Sequence, residues 1–224
     1  MGIISIEKVD HLFWLGRYTE RVFTTLRTFF KYFDRMLDMD DEAYKGFCEK
    51  LAIPVIYENM DDFIDKYLFS LEDPNSIYSN MTRAFDNGVI LRDELSSDTL
   101  SYLQMSLDCI EYAKKHANAL VYDLQPVKDY IFAFWGCLDD NVEDEECRNI
   151  IKCGKYLERL DLYMRLDFPY FYVDREFNKF LNRLHKIRIG YNMGEADKLI
   201  EVMGLKENWV ERRQDALTAL WNIF

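Results

Sequence analysis

The sequence reads as all-α, a single-domain helical bundle over residues 1–224, and three observations lead there. Apolar residues recur at spacings of three and four along almost the whole chain, while strict alternation is scarce. Only 9 glycines and 4 prolines interrupt 224 residues, so long helices are permitted. No Pro/Gly/Ser-rich linker divides the chain, and a composition 49% hydrophobic and 16% aromatic supplies one core without disulfide or metal staples.

The elements follow in order. Ser5 is placed to cap a first helix with Glu7 in its first turn, running to about Leu37 and ending at the acidic turn "DMDDE". Pro54 interrupts the next apolar stretch. A short helix is expected over Asp61 to Ser70, before "EDPNS". Asn75 or Ser76 caps a helix through "IYSNMTRAFDNGVILRDEL", and Ser96 or Ser97 caps another reaching about Asp123. Pro126 suits the first turn of a helix carrying "VKDYIFAFWGCL". The acidic run Asp139 to Glu146 lacks calcium-loop spacing and reads as a solvated turn before a helix from Cys147 to Asp167, closed by Pro169. "FPYFYV", residues 168–173, reads as core filling, with an exposed partner patch as the alternative. Two or three shorter helices finish the chain, the last of them "ALTALWNIF", a packed amphipathic segment.

Two stretches share one pattern. "LGRYTERVF", Leu15 to Phe23, and "CGKYLERLD", Cys153 to Asp161, both read Gly, basic, Tyr, any, Glu, Arg, with a further arginine, Arg27 or Arg165, six positions on. We expect two internally repeated Glu-Arg motif helices. At about 100° per residue, Glu20 and Arg27 fall in the sector of Gly16, Phe23 and Phe30, and Glu158, Asp161 and Arg165 fall in that of Gly154 and Ile150. These charges therefore lie within apolar stripes, where they must be paired. Each glutamate should meet an arginine of the other motif helix or its own arginine two turns on, and each glycine should let another helix come close. The seam so formed is either a register device or a ligand-binding polar core made of Glu20, Arg27, Glu158, Asp161 and Arg165. A second face carries Arg17 and Arg21 in one copy, Lys155 and Arg159 in the other; these basic pairs either converge on an anion or partner, or neutralise nearby acids.

The formal net charge of −12 disfavours nucleic acid and anionic membranes as partners. Five cysteines without CxxC spacing read as reduced thiols, and with neither signal peptide nor long apolar run the expectation is a soluble, cytoplasmic protein. None of His11, His116 and His185 has a glutamate three residues before it, so a di-iron bundle is not expected. Neither GxxxxGK[ST] nor GxGxxG occurs, and no cofactor or metal site is expected, although Glu20, Glu158 and Asp161 are a conceivable carboxylate set for a divalent ion.

"DHLFWLGRYTER", "DPNSIYSNMTRAFDNGVILRDELSS" and "GKYLERLD", in that order, resemble the bacterial alpha-E proteins, helical proteins named for their Glu-Arg motifs. The resemblance implies an all-α fold with both Glu-Arg helices at its centre. It also implies association with ATP-grasp ligases and transglutaminase-like proteins, a setting that suggests peptide or amide modification. Arg17, Glu20, Arg21, Glu158 and Arg159 match the two family signatures, and Asn87, Arg92 and Asp93 match the central one; Lys155 stands where the family usually has arginine. The reading is an accessory or scaffold component that docks an ATP-grasp-type ligase or its substrate. The alternative is an enzyme whose site is the seam, with Glu20 or Glu158 as base or metal ligand.

Overall fold

The computed structural model describes residues 4–116 and 120–224. Ten α-helices follow one another: α1 (Ile6–Asp38), α2 (Ala43–Leu51), α3 (Met60–Phe69), α4 (Ile77–Ile90), α5 (Ser97–His116), α6 (Leu120–Asn141), α7 (Glu145–Arg165), α8 (Tyr170–Leu184), α9 (Met193–Gly204) and α10 (Trp209–Trp221), with a 3-10 turn at Lys206–Asn208. No strand occurs among the described residues, and no described helix is long and apolar enough to cross a membrane.

Side-chain caps set several starts. Ser5 Oγ accepts from the Lys8 amide at 3.2 Å, Ser76 Oγ from that of Ser79 at 2.9 Å, and Asp144 from that of Cys147 at 2.9 Å. The Asp139–Glu146 run thus caps α7 and buries only Val142.

Two expected boundaries were wrong. The helix expected through Leu95 ends at Ile90, where α4 gives way to a turn. Another helix was expected to reach Asp123 with Pro126 opening the next, but α5 ends at His116 and α6 begins at Leu120; the junction 117–119 lies outside the described residues. Pro126 is therefore inside α6. It removes the donor for the Tyr122 carbonyl, and Tyr122 is exposed, so the loss falls where solvent compensates. The "FPYFYV" segment is also divided. Phe168 stacks on Tyr163 at 4.1 Å and Val173 is buried, but Phe171 and Tyr172 are exposed because Pro169 starts α8 there instead of ending in a packed coil.

The long helix α1 is the spine. It packs against α7, α4, α2 and α6, while α5 covers α4 and α6, α8 covers α7, and α9 packs on α10. Beneath the α1–α3 corner, Phe29, Phe47, Phe63 and Tyr67 pack ring on ring at 5.2 to 6.4 Å. Pairs between α1 and α7 climb together, Phe13 with Gly154, Arg17 with Glu158 and Arg27 with Tyr163, so the two helices run parallel. Their backbones touch reciprocally at the two motif glycines. A Cβ at Gly16 would lie 2.0 Å from the Ile151 carbonyl oxygen, and one at Gly154 would lie 2.2 Å from that of Phe13.

Alanine at position 16 should force α1 and α7 apart, because neither neighbour is a side chain that can turn aside. Gly16→Ala is expected to destabilise by about 3 kcal/mol or more, measured by urea unfolding. Gly136→Ala on α6, whose Cβ would meet nothing within 4 Å, should instead stabilise by up to ~1 kcal/mol.

Candidate functional site

The polar seam forms where α1 and α7 touch. Close backbone approach excludes water, so Glu20 and Glu158, one turn beyond each glycine, have no exposed surface. The helices satisfy each other's carboxylates. Glu158 Oε2 accepts from Arg17 Nε at 2.8 Å, and Arg21 Nε lies 2.6 Å from Oε1. Glu20 accepts two hydrogen bonds from Arg159, Nε to Oε1 and Nη2 to Oε2, each 2.7 Å. This is the cross-helix member of the two expected pairings.

Arg159 continues outward, donating to Glu176 of α8 at 3.2 Å; Glu176 is itself fully buried and also takes Arg175 and Lys179, both at 2.9 Å. Asp161 accepts from Arg165 Nε at 2.9 Å on its own helix and from the Trp221 indole at 2.8 Å. Arg27 reaches no carboxylate; it donates to the Tyr163 hydroxyl at 3.1 Å and lies near the faces of Phe23, Tyr163 and Phe168. Of the two expected pairings, the one with Arg27 and Arg165 is not formed, because cross-helix arginines occupy those oxygens.

The first basic pair is taken up by an internal acid. Arg17 and Arg21 converge on Glu158, and Arg17 is held flat between Trp14 and Trp221, 4.5 and 5.1 Å from the ring centroids. Lys155, at the position equivalent to Arg17, does not reach Glu20. It lies with Nζ 3.9 Å from the Trp135 ring centroid, and Thr24 Oγ1 donates to Glu20 at 2.6 Å instead. A lysine carries a point charge where Arg17 offers a directed fork, and the pseudo-equivalence of the two motifs fails at that residue.

Electrostatics follow the pairing. Burial alone would push the Glu158 carboxyl up, but Arg21 and Arg17 together hold it below the ordinary glutamate range. Asp161 is raised by its own burial and by the Glu158 charge, against Arg165 and Trp221. Burial pushes the Lys155 ammonium down to about 7; Glu20 and Asp139 oppose that, while Arg159 and Lys152 add to it.

The central trio splits. Asn87 Oδ1 lies 2.7 Å from His11 Nδ1, tying α4 to α1. Arg92 and Asp93 sit on the turn after α4 with side chains 75% and 93% exposed and only a 4.0 Å contact between them. No group of three or more His, Cys, Asp or Glu among the described residues is arranged to hold a metal ion. Sequence reasoning missed Thr24, Glu176, Trp135 and Trp221. Thr24 was legible as an i+4 neighbour of Glu20; the other three meet the seam only through the packing of α6, α8 and α10.

Glu158→Gln leaves two guanidiniums facing a neutral amide in a dry seam, and the expected loss is about 3–5 kcal/mol by denaturant titration. Because Glu158 titrates lower folded than unfolded, its stabilisation is complete above the ordinary glutamate pKa and disappears as pH falls through the folded value. Lys155 has the opposite consequence. Between pH 7 and its unfolded value of 10.5, the unfolded chain holds a proton that the folded chain lacks, so this group makes stability rise as pH rises from 7. Lys155→Met should raise the melting temperature at pH 6.5 and flatten the rise in stability between about pH 7 and 8.5, below the range where thiols ionise.

Among protein families, one model matches residues 8–186, both Glu-Arg helices included: Alpha-E, described as a predicted alpha-helical domain with a conserved ER motif. Neither the curated proteins nor the solved structures compared with the chain contain a match. With that match spanning most of the sequence, and with Glu20-Arg21 and Glu158-Arg159 paired across the centre of a wholly helical fold, the chain belongs to the Alpha-E family.

Proposed function

We propose that this chain is a non-catalytic docking component of an amide-forming peptide modification system, presenting a surface to an ATP-grasp-type ligase or to that ligase's substrate. One contrast carries the reading. The motif acids Glu20 and Glu158 are wholly buried and matched by arginines, whereas Arg92 and Asp93 are open to solvent and touch only each other, at 4.0 Å. Buried, arginine-paired carboxylates act as internal cross-links, which weighs against Glu20 or Glu158 as a general base or metal ligand. A general base must reach a substrate proton, and here the arginines stand in the way. Exposed unpaired charges keep their full capacity for a partner, where they set register and encounter rate.

The partner is expected to be an ATP-grasp ligase from the same cell, with a transglutaminase-like protein as a further member of the complex. A charge-reversed variant, Arg92→Glu with Asp93→Lys, tests this by co-purification and surface plasmon resonance against that ligase. The melting temperature should stay within about 2 °C of the parent, since surface changes rarely exceed ~0.5 kcal/mol. Ligase affinity should fall at least about tenfold, roughly 1.4 kcal/mol, and parental binding should weaken with added salt. A parent that binds no such ligase, or a variant that binds it as tightly, overturns the reading.

A further inference from the structure

The flank of α7 beside the seam is cationic. Arg148, Lys152, Lys155 and Arg159 follow one another at spacings of four, three and four, so they form one stripe along the helix. On one side α6 presents Asp139 and Trp135; on the other α8 presents Glu176, Lys179 and Arg183. The pairs 139 with 152 and 135 with 155 show α6 running antiparallel to α7. Backbone packing of α6 is on α5 and α1, and side chains bridge its approach to α7.

Not all of these cations are matched. Lys152 pairs with Asp139, and Arg159 pairs with Glu20 and Glu176. Arg148 meets the Val142 carbonyl, Arg183 meets the Asn149 side-chain oxygen, and Lys155 lies over aromatic faces with Glu20 and Asp139 acting on it only at a distance; none of the three makes an ion pair with a carboxylate among the described residues. In a chain with 40 acids against 28 bases, a run of cations without counter-charges is unexpected.

The same walls hold two buried donors without acceptors, the Trp135 indole N–H and the Asn149 amide nitrogen. Trp135 is 6% exposed and Asn149 1%. Buried polar groups are nearly always bonded, so orphaned donors ask for a missing acceptor. The third buried atom without a hydrogen bond, Glu158 Oε1, lies in the seam 2.6 Å from Arg21 Nε, so the groups beside this stripe that lack a partner are donors and cations. A ligand that completes the site must therefore be an acceptor-rich anion.

We propose that an oxyanion of the phosphate class binds between α6 and α7, held by Lys155 Nζ and the Trp135 indole N–H in the field of Arg148 and Lys152. More than one unmatched cation favours a dianion over a single carboxylate. Burial already disfavours the charged Lys155 ammonium, and a bound oxyanion reverses that by supplying the counter-charge. The site stands independently of ligase docking, since Arg92 and Asp93 take no part in it.

Indole N–H resonances of the ¹⁵N-labelled protein provide the test, with the Trp135 signal identified through Trp135→Phe. Titration with inorganic phosphate at fixed ionic strength and pH 7 should move that signal saturably, with half-saturation at about 1 mM or below, an ordinary weak-site affinity. Acetate and chloride at matched ionic strength should not reproduce the shift. Lys155→Met should weaken phosphate binding at least about tenfold while leaving the phosphate-free protein folded and no less stable, and Arg148→Gln, on a partly buried residue, should weaken it several-fold. Titration with a phosphate monoester separates the two sources of such a group: tighter binding than inorganic phosphate assigns the site to an esterified ligand, equal or weaker binding to the free ion. A Trp135 signal that does not move, moves equally with every anion, or responds to phosphate in Lys155→Met as in the parent overturns the proposal.

Discussion

The contact between α1 and α7 at Gly16 and Gly154 is the constraint on which the rest of the structure depends. Two parallel helices meet with carbonyl oxygens near 2 Å from where a Cβ would stand, which only glycine permits. That approach dries the interval one turn above, and Glu20 and Glu158 fall inside it. Ionised carboxylates survive there because guanidiniums from the opposite helix meet them with directed hydrogen bonds. The glycines and the Glu-Arg pairs are thus one device: the former create the low-dielectric gap and the latter make it habitable.

The device also organises what surrounds it. Arg159 carries the seam out to Glu176, so α8 is joined to the centre through a buried carboxylate that takes three cations. Trp221 reaches back from the end of α10 to Asp161 and covers Arg17, tying the final helix to the same region. Specificity of packing comes from these pairings more than from the apolar core, since aromatic and aliphatic side chains tolerate exchange of neighbours better than a buried charge does. The two halves of the seam are built differently. Arg17 completes the cage around Glu158, whereas Lys155 leaves its equivalent place to Thr24 and turns to Trp135, which transfers a charge from the seam to the flank of α7 beside it.

Much of this was legible in the chain. The helix starts at Ser5 and Ser76 follow from their hydroxyls three residues before an open backbone amide, and the stripe positions of Glu20 and Glu158 follow from the helical period. The start of α6 was not legible, because Pro126 satisfies a first-turn rule that the exposed position of Tyr122 made unnecessary. The partners of the seam were only half legible. Angular position put Arg17 and Arg21 away from the glutamates, but a guanidinium on a long stem reaches round a helix when its neighbour lies this close.

By itself the sequence determined the fold class, the two motif helices and the burial of their acids, since period, caps and breakers are local and add along the chain. Which arginine meets which glutamate, the capture of Glu176 and Trp221, and the unmatched cations facing α6 were decided only by the tertiary structure. Those outcomes depend on helix direction, register and spacing between separate helices, and such distances are set by how backbones pack rather than by any local pattern.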